Sequence, residues 1–133
     1  MTHRHQIRVY YEDTDLAGIV YYANYLKFIE RARSEWVRGL GVDQAALRTT
    51  SGAVFAVRRV EADYLSPAYF DDVIEVRSAP VAVSPARITL QQDIFRKETR
   101  LFAARVMLVC LDGRGRPRRL PPVLADLADT IGA

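Results

Sequence analysis

The 133 residues are 50% hydrophobic and 26% charged, with a net charge of only +3. That length predicts one domain over residues 1–133, able to bury roughly two thirds of the surface of its unfolded chain. The composition is too polar and interrupted for a membrane span, and the mild charge admits an anionic ligand without demanding nucleic acid.

The opening Met-Thr-His-Arg-His-Gln is polar, with no apolar run or small-residue cleavage pattern behind it, so cytoplasm is the expected location. Ile7 to Tyr11 reads as the first strand, and the carboxylate-rich run Tyr11-Glu12-Asp13-Thr14-Asp15 as a turn. A helix follows. Tyr22, Tyr25, Leu26, Ile29, Ala32, Trp36 and Leu40 recur at three- and four-residue steps and form one apolar stripe, while Lys27, Glu30, Arg31, Ser34, Glu35 and Arg38 lie mostly off it. Gly39 and Gly41 suit the left-handed turn that ends a helix. At the near end Gly18 permits a tight turn, and the unpaired amides of the first helical turn favour negative charge or a developing oxyanion. A fold-back of this loop would bring the Asp15 carboxylate beside those amides.

Beyond the helix, Val42 to Leu47 continues as a short polar helical segment, and then the period changes to two. From Val54 to Tyr64, Ala56, Val60, Ala62 and Tyr64 share a face with Arg58, against Arg59, Glu61 and Asp63. Val73 to Ser78 is a strand, Pro80 to Pro85 an interruption, Ile88 to Ile94 another strand, and Arg96 to Thr99 a hairpin turn. Leu101 to Leu111 is almost continuously apolar, as a strand covered on both faces would be, and places the lone Cys110 where a buried, inert thiol is expected. Pro121-Pro122 opens a short amphipathic helix with Val123, Leu124, Leu127 and Ile131, and the basic run Arg114 to Arg119 before it reads as a solvated tail. The sum is an α+β domain, about five mostly hairpin-linked antiparallel strands packed on one long helix. The apolar last strand exceeds what one helix covers, so a second copy of the chain is expected against it.

The run Tyr11-Glu12-Asp13-Thr14-Asp15, then Gly18, Ile19-Val20-Tyr21 and Asn24-Tyr25, followed by Glu30-Arg31-Ala32-Arg33, resembles the signature of hotdog-fold acyl-CoA thioesterases. It is similar to the 4-hydroxybenzoyl-CoA thioesterase type and to the acyl-CoA thioesterase associated with the Tol-Pal system. The resemblance implies a sheet wrapped around the long helix, a homodimer or homotetramer with its site at the subunit interface, and hydrolysis of an acyl-CoA thioester to free acid and coenzyme A. It implies Asp15 as the carboxylate that attacks the thioester carbon or activates water, the Tyr22 backbone N–H as the amide polarising the carbonyl, and Tyr11 as a tyrosine near the acid. The Tol-Pal branch carries histidine where this chain has Tyr22, so no histidine side-chain role transfers. No metal or redox cofactor is implied, since coenzyme A is part of the substrate, and the residues that hold its phosphates stay unassigned.

Other readings compete. Asp15 also suits a turn whose amides it accepts from, and Tyr21, Tyr22 and Tyr25 suit packing. Glu12 and Asp13 lack further ligands at metal spacing. Arg58 suits an ion pair or a snorkelling side chain. A dehydratase of the same fold would use a histidine within the motif, whereas His3 and His5 lie at the N-terminus. A non-catalytic acyl-ligand-binding or envelope-complex adaptor, and a thioesterase acting on acyl carrier protein, remain as alternatives.

Overall fold

The computed structural model describes residues 2–131, so both extremes of the expected 1–133 domain lie outside the described residues. In chain order the elements are β1 (His3–Arg8), α1 (Asn24–Gly39), α2 (Gln44–Ser51), β2 (Val54–Tyr64), β3 (Val73–Ser84), β4 (Arg87–Arg96), β5 (Thr99–Leu111) and α3 (Pro122–Ala125). The strands form one antiparallel sheet in the order β1-β3-β4-β5-β2. The α+β architecture expected from the sequence is present, and β2 is an edge strand of eleven residues.

One side of α1 makes the core. Tyr25, Phe28, Ile29, Ala32, Trp36 and Val37 are buried in a cluster with Ile74 and Val76 of β3, Ile88, Leu90 and Ile94 of β4, and Phe102, Val106 and Leu108 of β5. Each larger side chain contributes about 1.5–3 kcal/mol by leaving water. The stripe keeps Tyr25, Ile29, Ala32 and Trp36 as the spacing predicts but differs at its flanks. Tyr22 and Leu26 are 62% and 41% exposed, and Phe28 and Val37 are buried in their stead. Tyr22 lies outside the stripe because α1 begins at Asn24 and Tyr22 belongs to the turn before it, whereas Leu26 sits in the first, less covered turn of the helix.

A polar tie fixes the helix on the sheet. Gln92 of β4 is fully buried, its amide donates to the Ile29 carbonyl (3.0 Å) and to Ser78 Oγ (2.9 Å), and its Oε1 accepts from Arg33 (3.0 Å). Every group of the Gln92 amide oxygen and nitrogen is therefore engaged, as burial requires.

Three strand expectations need correction. β1 occupies His3–Arg8 instead of Ile7 to Tyr11, because the polar opening alternates His3, His5 and Ile7 against more exposed Arg4, Gln6 and Arg8 while pairing with β3. In β2 the register against β5 shifts between Val57 and Arg59, so Arg58 is the extra residue of a bulge. Phe55 and Val57, opposite buried Cys110 and Leu108, thus share the inner face with Val60, Ala62 and Tyr64, and Ala56 faces out. β3 runs through Pro80 to Ser84. β1 pairs β3 only as far as Ser78, so beyond it the missing proline N–H removes no ladder bond, and the register shifts beside it. Within a single chain β5 is covered on one face: Ala104, Val106, Leu108 and Cys110 are buried, whereas Ala103, Met107 and Val109 are half-buried and Arg105 is exposed. The tail is a single helical turn followed by a tighter one, and of its four expected apolar residues Leu124 and Leu127 are buried.

Candidate active site

The site is built on the connection from β1 to α1. After Val9, a short turn over Tyr11–Asp13 is closed by the Asp13 carboxylate, which accepts from the Tyr10 N–H at 2.8 Å. The chain then doubles back as a tight hairpin: Thr14 bridges Val20, the Asp15 N–H donates to the Ile19 carbonyl (3.0 Å), and the Gly18 N–H donates to the Asp15 carbonyl (2.9 Å). Gly18 has φ +80°, a conformation that disfavours any side chain, so glycine closes this turn. Glu12 and Asp13 are turn residues, and among the described residues no group of three His, Cys, Asp or Glu side chains could hold a metal ion.

Asp15 stands at the tip of that hairpin, exposed. Its Oδ1 accepts from the Ala17 N–H at 2.9 Å, and among the described residues Oδ2 accepts from nothing. The turn-capping role expected as a competitor to chemistry is thus real, and it engages one oxygen of two. Asp15 and the Tyr22 amide are not hydrogen-bonded to each other. They are nonetheless parts of one folded loop. The Asp13 carbonyl accepts from both the Tyr21 N–H (2.9 Å) and Asn24 Nδ2 (2.9 Å), which ties the hairpin to the start of α1. The Tyr21 phenol is held above its usual pKa by Tyr22 beside it and, more weakly, by the charge of Asp15.

The Tyr22 N–H is free among the described residues, and its direction is set by its own peptide. The Tyr21 carbonyl accepts from the Asn24 N–H (2.9 Å). In a trans peptide the C=O and N–H point oppositely, so the Tyr22 N–H is directed away from the helix it precedes. An unpaired amide fixed in direction can stabilise a developing oxyanion without reorganising.

Beside it lies an open cavity of about 300 Å³ lined by Ile19, Val20, Tyr22, Tyr25, Tyr64, Leu65, Ser66 and Pro67. No charged side chain lines it. Three tyrosines shape its wall: Tyr64 lies edge-on to Tyr22 (6.2 Å between ring centres) and to Tyr25 (5.4 Å), and Tyr25 stacks on buried Phe102 (5.2 Å). The Tyr25 hydroxyl accepts from the Ala68 N–H at 3.0 Å, locking the loop after β2 onto α1. From the sequence alone Tyr64 is legible only as a strand residue. Its place at the end of β2, next to Pro67, was the available signal.

Tyr11 is 82% exposed, its ring edge-on to Phe70 at 6.5 Å, and among the described residues no hydrogen bond joins it to Asp15. Cys110 is buried, which pushes its thiol pKa up and keeps it out of any nucleophilic role.

The carboxylate, the directed amide and the uncharged cavity belong to one tied loop and its surroundings, and the chain has relatives among thioesterases. It is 40% identical over 120 residues, 89% of each chain, to the acyl-CoA thioester hydrolase YbgC of Escherichia coli O6:H1. The fold matches the crystal structure of a probable thioesterase from Bartonella henselae with a TM-score of 0.87 at 35% identity, covering 91% of this chain and all of that one. At 19% identity, where only the fold is compared, it matches a 4-hydroxybenzoyl-CoA thioesterase mutant crystallised with 4-hydroxybenzoyl-CoA, with a TM-score of 0.88 over 96% of this chain and 98% of that one. Residues 9–129, from the buried Val9 before the hairpin to the closing turn of the tail, match the thioesterase-like superfamily, and the chain belongs to it.

Proposed function

We propose that this protein hydrolyses acyl-CoA thioesters, with Asp15 as the acting carboxylate and the Tyr22 N–H as the oxyanion donor. The observation that carries the reading is the presence, in one tied loop, of a carboxylate oxygen and an amide that have no hydrogen-bond partner among the described residues. In the reaction the C–S bond breaks, the acyl carbon gains an oxygen that derives from water, and coenzyme A leaves as the thiol. Asp15 either adds to the carbonyl carbon, giving an anhydride that water opens, or removes a proton from the attacking water. Negative charge developing on the carbonyl oxygen falls on the Tyr22 N–H. The uncharged cavity suits the apolar part of the substrate, and the chemistry so drawn uses no metal or redox cofactor.

Tyr11 belongs to this proposal as a residue brought toward the acid when the site closes around substrate. A second copy of the chain provides that closure. β2 offers an unpaired edge eleven residues long, and Val57, Val60 and Tyr64 on its inner face are 47%, 39% and 49% exposed in the single chain. Pairing through that edge would cover them and remove water from Asp15, as a homodimer or a tetramer of two such pairs. Among the described residues no helix is long and apolar enough to cross a membrane, and we place the activity in the cytoplasm.

The test is thiol release from short-chain, long-chain and aromatic acyl-CoAs by the native protein and by Asp15→Asn. Turnover is expected to fall by at least about 100-fold in the variant, the scale for losing a positioned catalytic group, with folding unchanged. Ligand binding without thiol release by either protein would favour the adaptor reading. Far faster release from acyl carrier protein thioesters than from coenzyme A esters would reassign the carrier.

A further inference from the structure

We infer that Tyr64 is a positioning residue for the oxyanion amide, acting through the Tyr22 carbonyl; the inference rests on the proposed role of the Tyr22 N–H. Tyr64 ends β2, opposite Phe102 in the ladder, 42 residues from Tyr22 in sequence. Its hydroxyl donates to the Tyr22 carbonyl at 3.0 Å, a near-ideal length that links the edge strand of the sheet to the turn before α1.

That carbonyl has no place in the helix ladder. In a regular helix it would accept from the Leu26 N–H, four residues on. Here the Leu26 N–H donates to the Ala23 carbonyl instead, at 3.2 Å, so α1 begins one step later and the Tyr64 hydroxyl is the Tyr22 carbonyl's only hydrogen-bond partner among the described residues. The Tyr22 residue is therefore gripped on both sides. The peptide before it is fixed by Asn24 N–H on the Tyr21 carbonyl, and the peptide after it by Tyr64. With the second grip gone, the Tyr22 carbonyl is free to turn toward the Leu26 N–H, extend α1 backwards, and carry the Tyr22 N–H off the line it now holds.

The ring of Tyr64 is held independently of its hydroxyl. It packs edge-on against Tyr22, Tyr25 and Phe102, the last at 5.1 Å, so removing the oxygen alone leaves the packing in place. Burial and the neighbouring Tyr22 keep the phenol pKa above its usual value, so it remains a donor throughout the neutral range.

Tyr64→Phe is the variant to make. A misdirected oxyanion donor loses part of the roughly 10²–10³ that one donor supplies, so kcat should fall about tenfold, with KM within about twofold and the melting temperature nearly unchanged. In the amide NMR spectrum the Tyr22 and Leu26 resonances should move while those of Phe102 and its ladder neighbours stay. Native kcat in Tyr64→Phe overturns the inference, as does an equal loss in kcat and stability, which marks packing alone. Should the native protein release no thiol at all, the proposed reaction fails separately, and the NMR shift still decides whether Tyr64 orients the turn.

Discussion

Two polar arrangements on or beside α1 are finished to different degrees. At mid-helix, Gln92, Ser78, Arg33 and the Ile29 carbonyl form a closed set around a side chain with no exposure to solvent. At the helix start, the Tyr22 N–H and one oxygen of Asp15 have no partner among the described residues, and both residues are exposed. The first set fixes where the helix lies on the sheet. The second keeps bonding capacity open, and the proposed chemistry draws on it. Satisfied and buried polar groups thus read as positioning, and unsatisfied ones on a tightly tied loop read as chemistry.

The largest effect should come from breaking the closed set. Gln92→Leu preserves volume but leaves buried Ser78 and half-buried Arg33 without their partner, and a stranded buried group costs about 1–3 kcal/mol, with less for one that still reaches water. Arg33 is already disfavoured by desolvation, which lowers its pKa, and Glu30 nearby offsets this in part. Denaturant unfolding should show a loss of about 3 kcal/mol, with kcat of the folded fraction close to native. A stable Gln92→Leu protein would show that the network is dispensable and that apolar packing alone sets the helix.

A smaller effect separates strain from function at two glycines. Gly18 and Gly115 have nearly equal backbone angles, φ +80° and +78°, and an added Cβ would touch nothing within 4 Å at either. Alanine at each should therefore cost about 1 kcal/mol through backbone strain alone. Only Gly18→Ala should also reduce turnover, because Gly18 closes the hairpin that aims Asp15. Equal turnover in both variants would mean that the hairpin's shape does not matter to the chemistry.

What the sequence disclosed follows the same division. The Asp15 turn, Gly18 and the fold class were legible because they depend on local residue types and on periodicity. The β2 bulge was not, since Arg58 looks like any alternating position until β5 supplies the register. β1 hid behind inward-facing histidines that carry no apolar signal. Phe28 and Val37 were not legible because the sheet and neighbouring elements decide which flank of the stripe is covered at each point along α1, and a helical wheel contains neither.

The smallest effect concerns a second turn carboxylate that makes a useful contrast with Asp15. Asp112 closes the loop after β5, and a single oxygen accepts from two amides, Arg114 N–H at 2.8 Å and Arg116 N–H at 3.0 Å. Those two amides, Arg116 first, hold its pKa below the ordinary carboxylate value. Because the folded value is depressed, the stabilisation is fully present above the unfolded value of about 3.9 and disappears as pH falls through the folded one. Asp112→Asn should therefore melt slightly below the native protein at neutral pH, and the gap should close in acid below about pH 4. A gap that persists unchanged into strong acid would mean that the side chain's shape, and not its charge, closes the loop. The second Asp112 oxygen faces the Arg116 guanidinium at 3.9 Å, whereas Asp15 Oδ2 has no partner among the described residues, and that difference is what the proposed chemistry draws on.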